Sequence, residues 1–235
     1  MSALRRVGHK GADRIAPGNT FASFDAALAA GVDMIEFDVL ISRDGSELLL
    51  AHDYRDAASR TPHTLEEGLA HLATEAFSGV EIDVDLKLPG YELRVLEALR
   101  SHGLLDRALI STQYRSSLRL LRDAAPAGLR LGWSVPRLRR DPFRSRALLL
   151  PAVAAMYAAR ALLPTSAARA IRGGECNAVM AHWRLVTPRL VRAVTGAGGE
   201  LYVWTVDELA RLRELEALGV TGVITNDPRL FGERL

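Results

Sequence analysis

Two short stretches of this chain place charged and imidazole side chains where one phosphate ester and one metal ion could sit between them. VGHKG at 7–11 is followed by MIEFDVLISRDGSELLLAHD at 34–53, and EIDVDLK occupies 81–87. In extended chain, residues two apart share a face. Glu36 and Asp38 therefore point one way while Ile35, Phe37 and Val39 point the other. By the same parity Glu81, Asp83, Asp85 and Lys87 lie together, opposite Ile82, Val84 and Leu86. Several charges on the inner face of a strand cost several kcal/mol per unpaired ion, so a cation, a partner charge or water must compensate them.

The residue types say which chemistry such a place would support. His9 and His52 each close a short extended segment, and neutral imidazole at pH 7 can take or give a proton, so two of them supply a base and an acid. Glu36, Asp38 and Asp85 offer hard oxygen donors, which select Mg²⁺ or Ca²⁺ over zinc. The alternative for these acids is a set of inward charges balanced by Lys87 and nearby arginines in the core. Lys87 suits a phosphate oxygen as a point charge, or simply balances Asp85. Asp53, next to His52, either orients that ring or caps the following turn. His182 ends another apolar run and could reach the same mouth, whereas His63, His71 and His102 fall on helix or loop surfaces away from it.

These groups need a scaffold that brings strand ends together. Periods of two predict strands at 4–9, 34–41, 80–87, 108–112, 130–135, 177–183, 201–206 and 222–225. Periods near 3.6 predict helices at 19–30, 64–76, 91–102, 116–124, 188–196 and 206–218. Asn19 or Thr20 caps the first helix and Gly31 ends it, while Thr64 and Glu67 form a capping-box pattern. Eight strands alternating with helices in 235 residues point to a (β/α)8 TIM-type barrel forming a single domain over 1–235, with catalytic groups at the carboxyl ends of the strands. An open doubly wound sheet fits less well, because no glycine-rich phosphate turn is present.

Composition sets the class. The chain is 49% apolar and 25% charged, with a formal charge of +2 and one cysteine, Cys176. An intrachain disulfide is thereby excluded, which suits a reducing compartment. The first residues lack the apolar core of a signal peptide, so a cytoplasmic location is expected, and nothing calls for a nucleic-acid partner. Between the fifth and sixth predicted strands, residues 136–176 make a connection about twice the needed length. It holds a basic run from Arg137 to Arg146 and then an apolar stretch, 147–164, interrupted by Pro151 and Arg160. Three readings of 147–164 stand side by side: a membrane span, a buried or homodimer-covering helix, or a lid facing substrate or a membrane surface.

The motifs also carry a resemblance. GHKG, then PGNTFASFDAALAAGVDMIEFDV, then RDG and HD, then DLK, VWTVD and GVTGVITNDP resemble the glycerophosphodiester phosphodiesterase family, whose usual forms are HRG, PENT, ExD, DG, HD, ExK and VWTVN. The likeness spans most of the chain outside 54–79 and 136–176. It implies a barrel, divalent-metal dependence, and hydrolysis of small glycerophosphodiesters to glycerol 3-phosphate and an alcohol. Matched position by position, His9 and His52 take the acid–base roles, Glu36, Asp38 and Asp85 the metal roles, and Lys87 the phosphate-facing lysine. Lys10 adds charge beside the phosphate. Trp204 either forms an apolar wall against glycerol or a choline-like head, or serves as a barrel-core aromatic.

Four departures are visible. Lys10 stands where the family has arginine, Gly18 replaces the glutamate of PENT, and Asp85 is one methylene shorter than the usual glutamate. One residue more than usual separates Gly45 from His52, room for a bulge that re-aims the histidine. The short 54–79 connection and the apolar 147–164 keep a rival open, a lysophospholipase D or phospholipase D-like lyase acting on a lipid. A non-catalytic phosphate-ester binder is the remaining alternative.

Overall fold

In the computed structural model, which describes residues 3–124, 128–136 and 149–232, eight parallel strands close on themselves. They are β1 (Arg5–His9), β2 (Met34–Ile41), β4 (Glu81–Leu86), β5 (Ala108–Thr112), β6 (Arg130–Val135), β7 (Ala178–His182), β8 (Glu200–Trp204) and β9 (Gly222–Thr225). Pairing of β1 with both β2 and β9 closes the ring. The expected (β/α)8 barrel is the fold found, with every predicted strand present. A ninth strand, β3 (Leu48–Leu50), lies antiparallel on β2.

Helices follow the barrel strands: α1 (Phe21–Ala29), α2 (Tyr54–Ser59), α3 (Leu65–Leu72), α4 (Glu92–Ser101), α5 (Arg115–Ala124), α6 (Leu149–Arg172), α7 (Pro188–Thr195) and α8 (Leu209–Leu218). Thr20 caps α1, and the capping box of Thr64 and Glu67 opens α3. After β9 a short 3-10 turn, Pro228–Phe231, stands where a barrel helix would follow. Outward residues such as Phe37, Val84 and Ile110 pack under the helices, in apolar layers that wrap the barrel.

Register decides what fills the interior. The inward residues stack in tiers, each drawn from alternate strands. From the amino-terminal end these are Arg5, Glu81, Arg130 and Glu200; then Met34, Leu109, Ala178 and Gly222; then Val7, Asp83, Gly132 and Tyr202; then Glu36, Ser111, Met180 and Ile224. His9, Asp85, Ser134 and Trp204 form the tier at the carboxyl-terminal mouth, with Asp38 and His182 above them. Tyr202 is fully buried and needs glycine beside it, because a Cβ on Gly222 would come within 2.7 Å of its ring.

Glu81 corrects the expectation that it joins Asp83 and Asp85. It shares their face but sits at the opposite end of the barrel, in ion pairs with Arg5 and Arg130. In the 136–176 connection, the basic run Arg137 to Arg146 lies outside the described residues. The carboxyl-terminal half of α6 packs through Leu163, Ala167 and Ala170, while Tyr157 and Leu162 remain 61% and 71% exposed. Among the described residues no helix is long and apolar enough to cross a membrane, so the spanning reading of 147–164 is not supported.

Candidate active site at the barrel mouth

The turn after β1 is built to hold backbone close to the carboxylates. Lys10 adopts a left-handed φ of 51° and its backbone N–H donates to Glu36 Oε2 at 2.9 Å. Two groups clamp the Lys10 carbonyl, the Ser23 hydroxyl at 2.7 Å and the Asn19 N–H at 3.0 Å. With Thr20 as the helix cap, the Asn19 side chain is left for another task. Its amide N–H donates to Asp38 Oδ2 at 2.9 Å, and its Oδ1 accepts from the Asp38 backbone N–H at 3.0 Å. A larger residue at Gly18 would have to shift the turn, since a Cβ there would come within 2.8 Å of Lys10 Cβ.

Glu36, Asp38 and Asp85 converge, each offering one oxygen within 4.8 Å of the others. The shorter arm of Asp85 still reaches the group. Lys87 pairs with Asp38 and lies 2.5 Å from Asp85 Oδ2, and Lys10 Nζ lies 3.9 Å from Asp38 Oδ2. Burial pushes Glu36 well above the usual carboxylate range, with Asp38 adding to the effect. Burial acts the same way on Asp38, but Lys87, then His52 and Lys10, outweigh it and hold that group low. Asp83, one tier deeper, is pushed up to about 8 by burial and by Asp85, and its Oδ1 has no hydrogen-bond partner. Four carboxyl groups thus face two ammonium groups in a buried space, with one buried acid oxygen unpaired. A hard divalent cation fits that donor set, and its charge would offset the burial and mutual repulsion that push Glu36 and Asp83 up.

The two histidines differ. His9 Nδ1 lies 2.6 Å from Asn226 Oδ1, and Asn226 Nδ2 donates to Asp207 Oδ2 at 2.7 Å. A carboxylate only accepts, so Asp207 fixes which way the Asn226 amide faces, and Nδ1 of His9 must carry the proton. Its Nε2 lone pair is left facing the mouth, 3.8 Å from Glu36 Oε2. Burial, then Lys10, lower the His9 pKa and keep the ring neutral. His52 is half exposed at the rim, reached through β3. The expected bulge is absent from that ladder, whose three pairs are consecutive; instead the chain turns at Ala51, whose N–H donates to Leu49 O at 3.1 Å. Asp53 does both things expected of it. Its Oδ1 caps α2, and its Oδ2 lies 3.4 Å from His52 Nδ1.

Trp204 ends β8 at the mouth, partly exposed, its Nε1 donating to Met180 O at 2.9 Å. His182 packs edge-on against it at 5.1 Å. His63 and His71 stack on Phe21 among the outer helices, and His102 bonds Ala98 O at the end of α4, all away from the mouth. Asn226 and Asp207 were given no role from sequence, and Asp83 was placed on the inward face but given none; Asp207 falls inside the VWTVD motif. Asn226 does fall inside the GVITNDP motif, the one signal that pointed to it.

Known proteins place this geometry. A solved glycerophosphodiester phosphodiesterase from Agrobacterium tumefaciens superposes with a TM-score of 0.69 at 21% identity, covering 98% of this chain and 100% of that one. A phosphodiesterase from Oleispira antarctica, in complex with the product sn-glycerol-3-phosphate, gives 0.70 at 19% identity, covering 98% of each chain. In sequence, a glycerophosphodiester phosphodiesterase from Caldanaerobacter subterraneus is 25% identical over 257 aligned positions, 94% of this chain and 93% of its own. A model of the glycerophosphoryl diester phosphodiesterase family matches residues 9–86 and 63–230, most of the chain. On that match, with the barrel and the mouth just described, this protein is an enzyme of the glycerophosphoryl diester phosphodiesterase family.

Proposed function

We propose that the protein hydrolyses glycerophosphodiesters to glycerol 3-phosphate and an alcohol at the mouth formed by β1, β2 and β4, the one barrel carrying the whole activity. The observation that carries this reading is the convergence of Glu36, Asp38 and Asp85 within 4.8 Å beside Lys87, with a neutral His9 of fixed tautomer alongside. Glu36, Asp38 and Asp85 would hold Mg²⁺ or Ca²⁺, which when bound neutralises charge on the bridging phosphate. Lys10 and Lys87 add positive charge toward the same phosphate.

His9 is the group suited to take a proton. Its Nε2 is unprotonated, its ring orientation is set through Asn226 and Asp207, and burial disfavours the imidazolium until a proton arrives from the attacking hydroxyl. His52, half exposed and beside the Asp53 carboxylate, returns a proton to the departing oxygen. Trp204 lies against the glycerol carbons. A second reading, a lipid substrate, draws on Tyr157 and Leu162, two exposed apolar side chains of α6 through which a membrane surface or a second copy would be met. One experiment tests both readings. Glycerophosphodiesters and lysophospholipids are incubated with and without chelator, and glycerol 3-phosphate is assayed. Glycerol 3-phosphate from the soluble diesters, abolished by chelator and restored by Mg²⁺ or Ca²⁺, is expected. Turnover of lysolipids alone would move the assignment to the lipid, and full turnover in excess chelator would remove the metal from the proposal.

A further inference from the structure

The mouth has two unlike halves. Carboxylates, ammonium groups and His9 stand on β1, β2 and β4 and their loops, whereas the rim where β5 and β6 end opens a pocket of about 410 Å³. The acid–base steps leave this pocket unused. Gln113 and Ser134 line it together with Tyr114, Arg115 and Trp133. Ser134 is only 7% exposed, and neither its hydroxyl nor the Gln113 amide has a hydrogen-bond partner among the described residues. Each can donate and accept. The Ser134 hydroxyl opens onto the pocket, where a ligand hydroxyl can take the place of water on it.

Arg115 closes the pocket to cations. Its guanidinium lies 5.2 Å from the centroid of the Trp133 ring, held there by Glu175 through contacts of 2.9 and 2.5 Å. The rest of Trp133 packs into the apolar layers around the barrel. Trp133, the larger of the pocket's two aromatic rings, therefore has a cation over it already, and the Glu175 carboxylate beside it is paired. Position supplies the second argument. Ser134 stands across the barrel from His9 in the same tier, and in-line displacement at phosphorus puts the departing oxygen opposite the attacking one.

We propose that this rim pocket receives the departing alcohol, and that Gln113 and Ser134 select an uncharged, hydroxyl-rich alcohol over a quaternary ammonium one. The inference rests on the phosphodiesterase reading above. In the hydrolysis, a water oxygen bonds to phosphorus as it gives a proton to His9, the bond between phosphorus and the alcohol oxygen breaks, that oxygen takes a proton from His52, and the alcohol leaves through the pocket.

The test compares kcat/KM for glycerophosphoglycerol, glycerophosphoinositol and glycerophosphocholine in the metal-loaded full chain. Wild type should favour the two polyol diesters over the choline diester by about tenfold or more, the scale of discrimination by polar groups left unpaired with the wrong ligand. Ser134→Ala and Gln113→Ala should each lower the polyol-to-choline ratio by roughly five- to tenfold. Arg115→Gln should move it the same way for the opposite reason, raising choline turnover by uncovering Trp133 and freeing Glu175. Circular dichroism and melting curves check that each variant is folded. A wild-type preference for choline, or a ratio unmoved in all three variants, would overturn the subsite while leaving the phosphodiesterase intact. No turnover of any diester with either metal would remove the phosphodiesterase reading, and the subsite with it.

Discussion

The two ends of the barrel both hold inward-facing charge and resolve it in opposite ways. At the amino-terminal end Arg5, Glu81, Arg130 and Glu200 alternate round one tier; Glu81 takes both arginines, and Arg130 also lies 3.6 Å from Glu200. Two positive and two negative groups cancel. At the carboxyl-terminal end Glu36, Asp38, Asp83 and Asp85 face Lys87 and Lys10 among the described residues. Burial pushes Glu81 up, but Arg5 and Arg130 outweigh it and hold that carboxyl below its ordinary value. For Glu36 and Asp83 burial wins, and both are pushed up. The same residue type thus shifts in opposite directions within one barrel. A balanced tier is a plug; an unbalanced one calls for something from outside.

The largest effects should come from breaking the unbalanced end. His9→Ala and His52→Ala should each lower turnover by roughly 10²–10⁴-fold, the range for loss of a general acid or base. Melting temperatures should stay within a few degrees, because neither ring fills the core. A variant keeping a third of wild-type turnover would take that histidine out of the chemistry. Glu36→Gln comes next. Burial disfavours the charged form of Glu36 and glutamine nearly matches its shape, so metal-free melting should hardly change. The rise in melting temperature on adding Mg²⁺ or Ca²⁺ should shrink or vanish, and activity should fall by about tenfold or more. A variant with full metal response would mean that the ion is held elsewhere.

Parity in the sequence told which face a residue occupies but not its height along the barrel. The eight barrel strands were readable because apolar and charged residues alternate cleanly in EFDV and EIDVDLK, and because glycine or proline punctuates the helices. Glu81 was misgrouped for the same reason that Asp85 was found: both share a face, yet four residues of strand separate them by about 13 Å. The short β3 and α2 left little periodic signal, α2 arising from the Asp53 cap instead. Asn226 and Asp207 are invisible to a search for charge clusters. One is neutral, the other lies 19 positions away, and they meet only because β8 and β9 are neighbours.

Breaking the balanced end should cost stability and spare the chemistry. Glu81→Gln leaves Arg5 and Arg130 facing each other without their acid, a loss of about 2–3 kcal/mol for a partly buried network. In a chain of this size that is a fall in melting temperature of roughly 4–10 °C, with kcat/KM within about twofold of wild type. The sign with pH follows from the depressed Glu81 value. Its contribution is present above the ordinary glutamate pKa and is lost as pH falls through the lower folded value. Wild type and variant should therefore converge in melting temperature in acid, below about pH 4. An equal gap at pH 3 and pH 7 would show that shape, and not charge, carries the effect.

The smallest effect sharpens the same contrast within one strand. Arg5 and Arg6 are neighbours on β1, so their side chains leave opposite faces. Arg5 turns into the barrel onto Glu81, whereas Arg6 turns outward onto Asp33, with two contacts of 3.0 and 2.7 Å. The better geometry belongs to the weaker contributor. Arg6 and Asp33 side chains are 43% and 37% exposed, so water screens their attraction and solvates either partner left alone. Arg6→Ala should cost roughly 0–1 kcal/mol, less in high salt. Arg5→Ala strands Glu81 in a partly buried tier and should cost about twice as much or more. Chemical denaturation of the two variants at low and high salt checks the order. An Arg6 loss equal to the Arg5 loss would mean that the face a strand residue occupies does not decide what its charge is worth in this barrel.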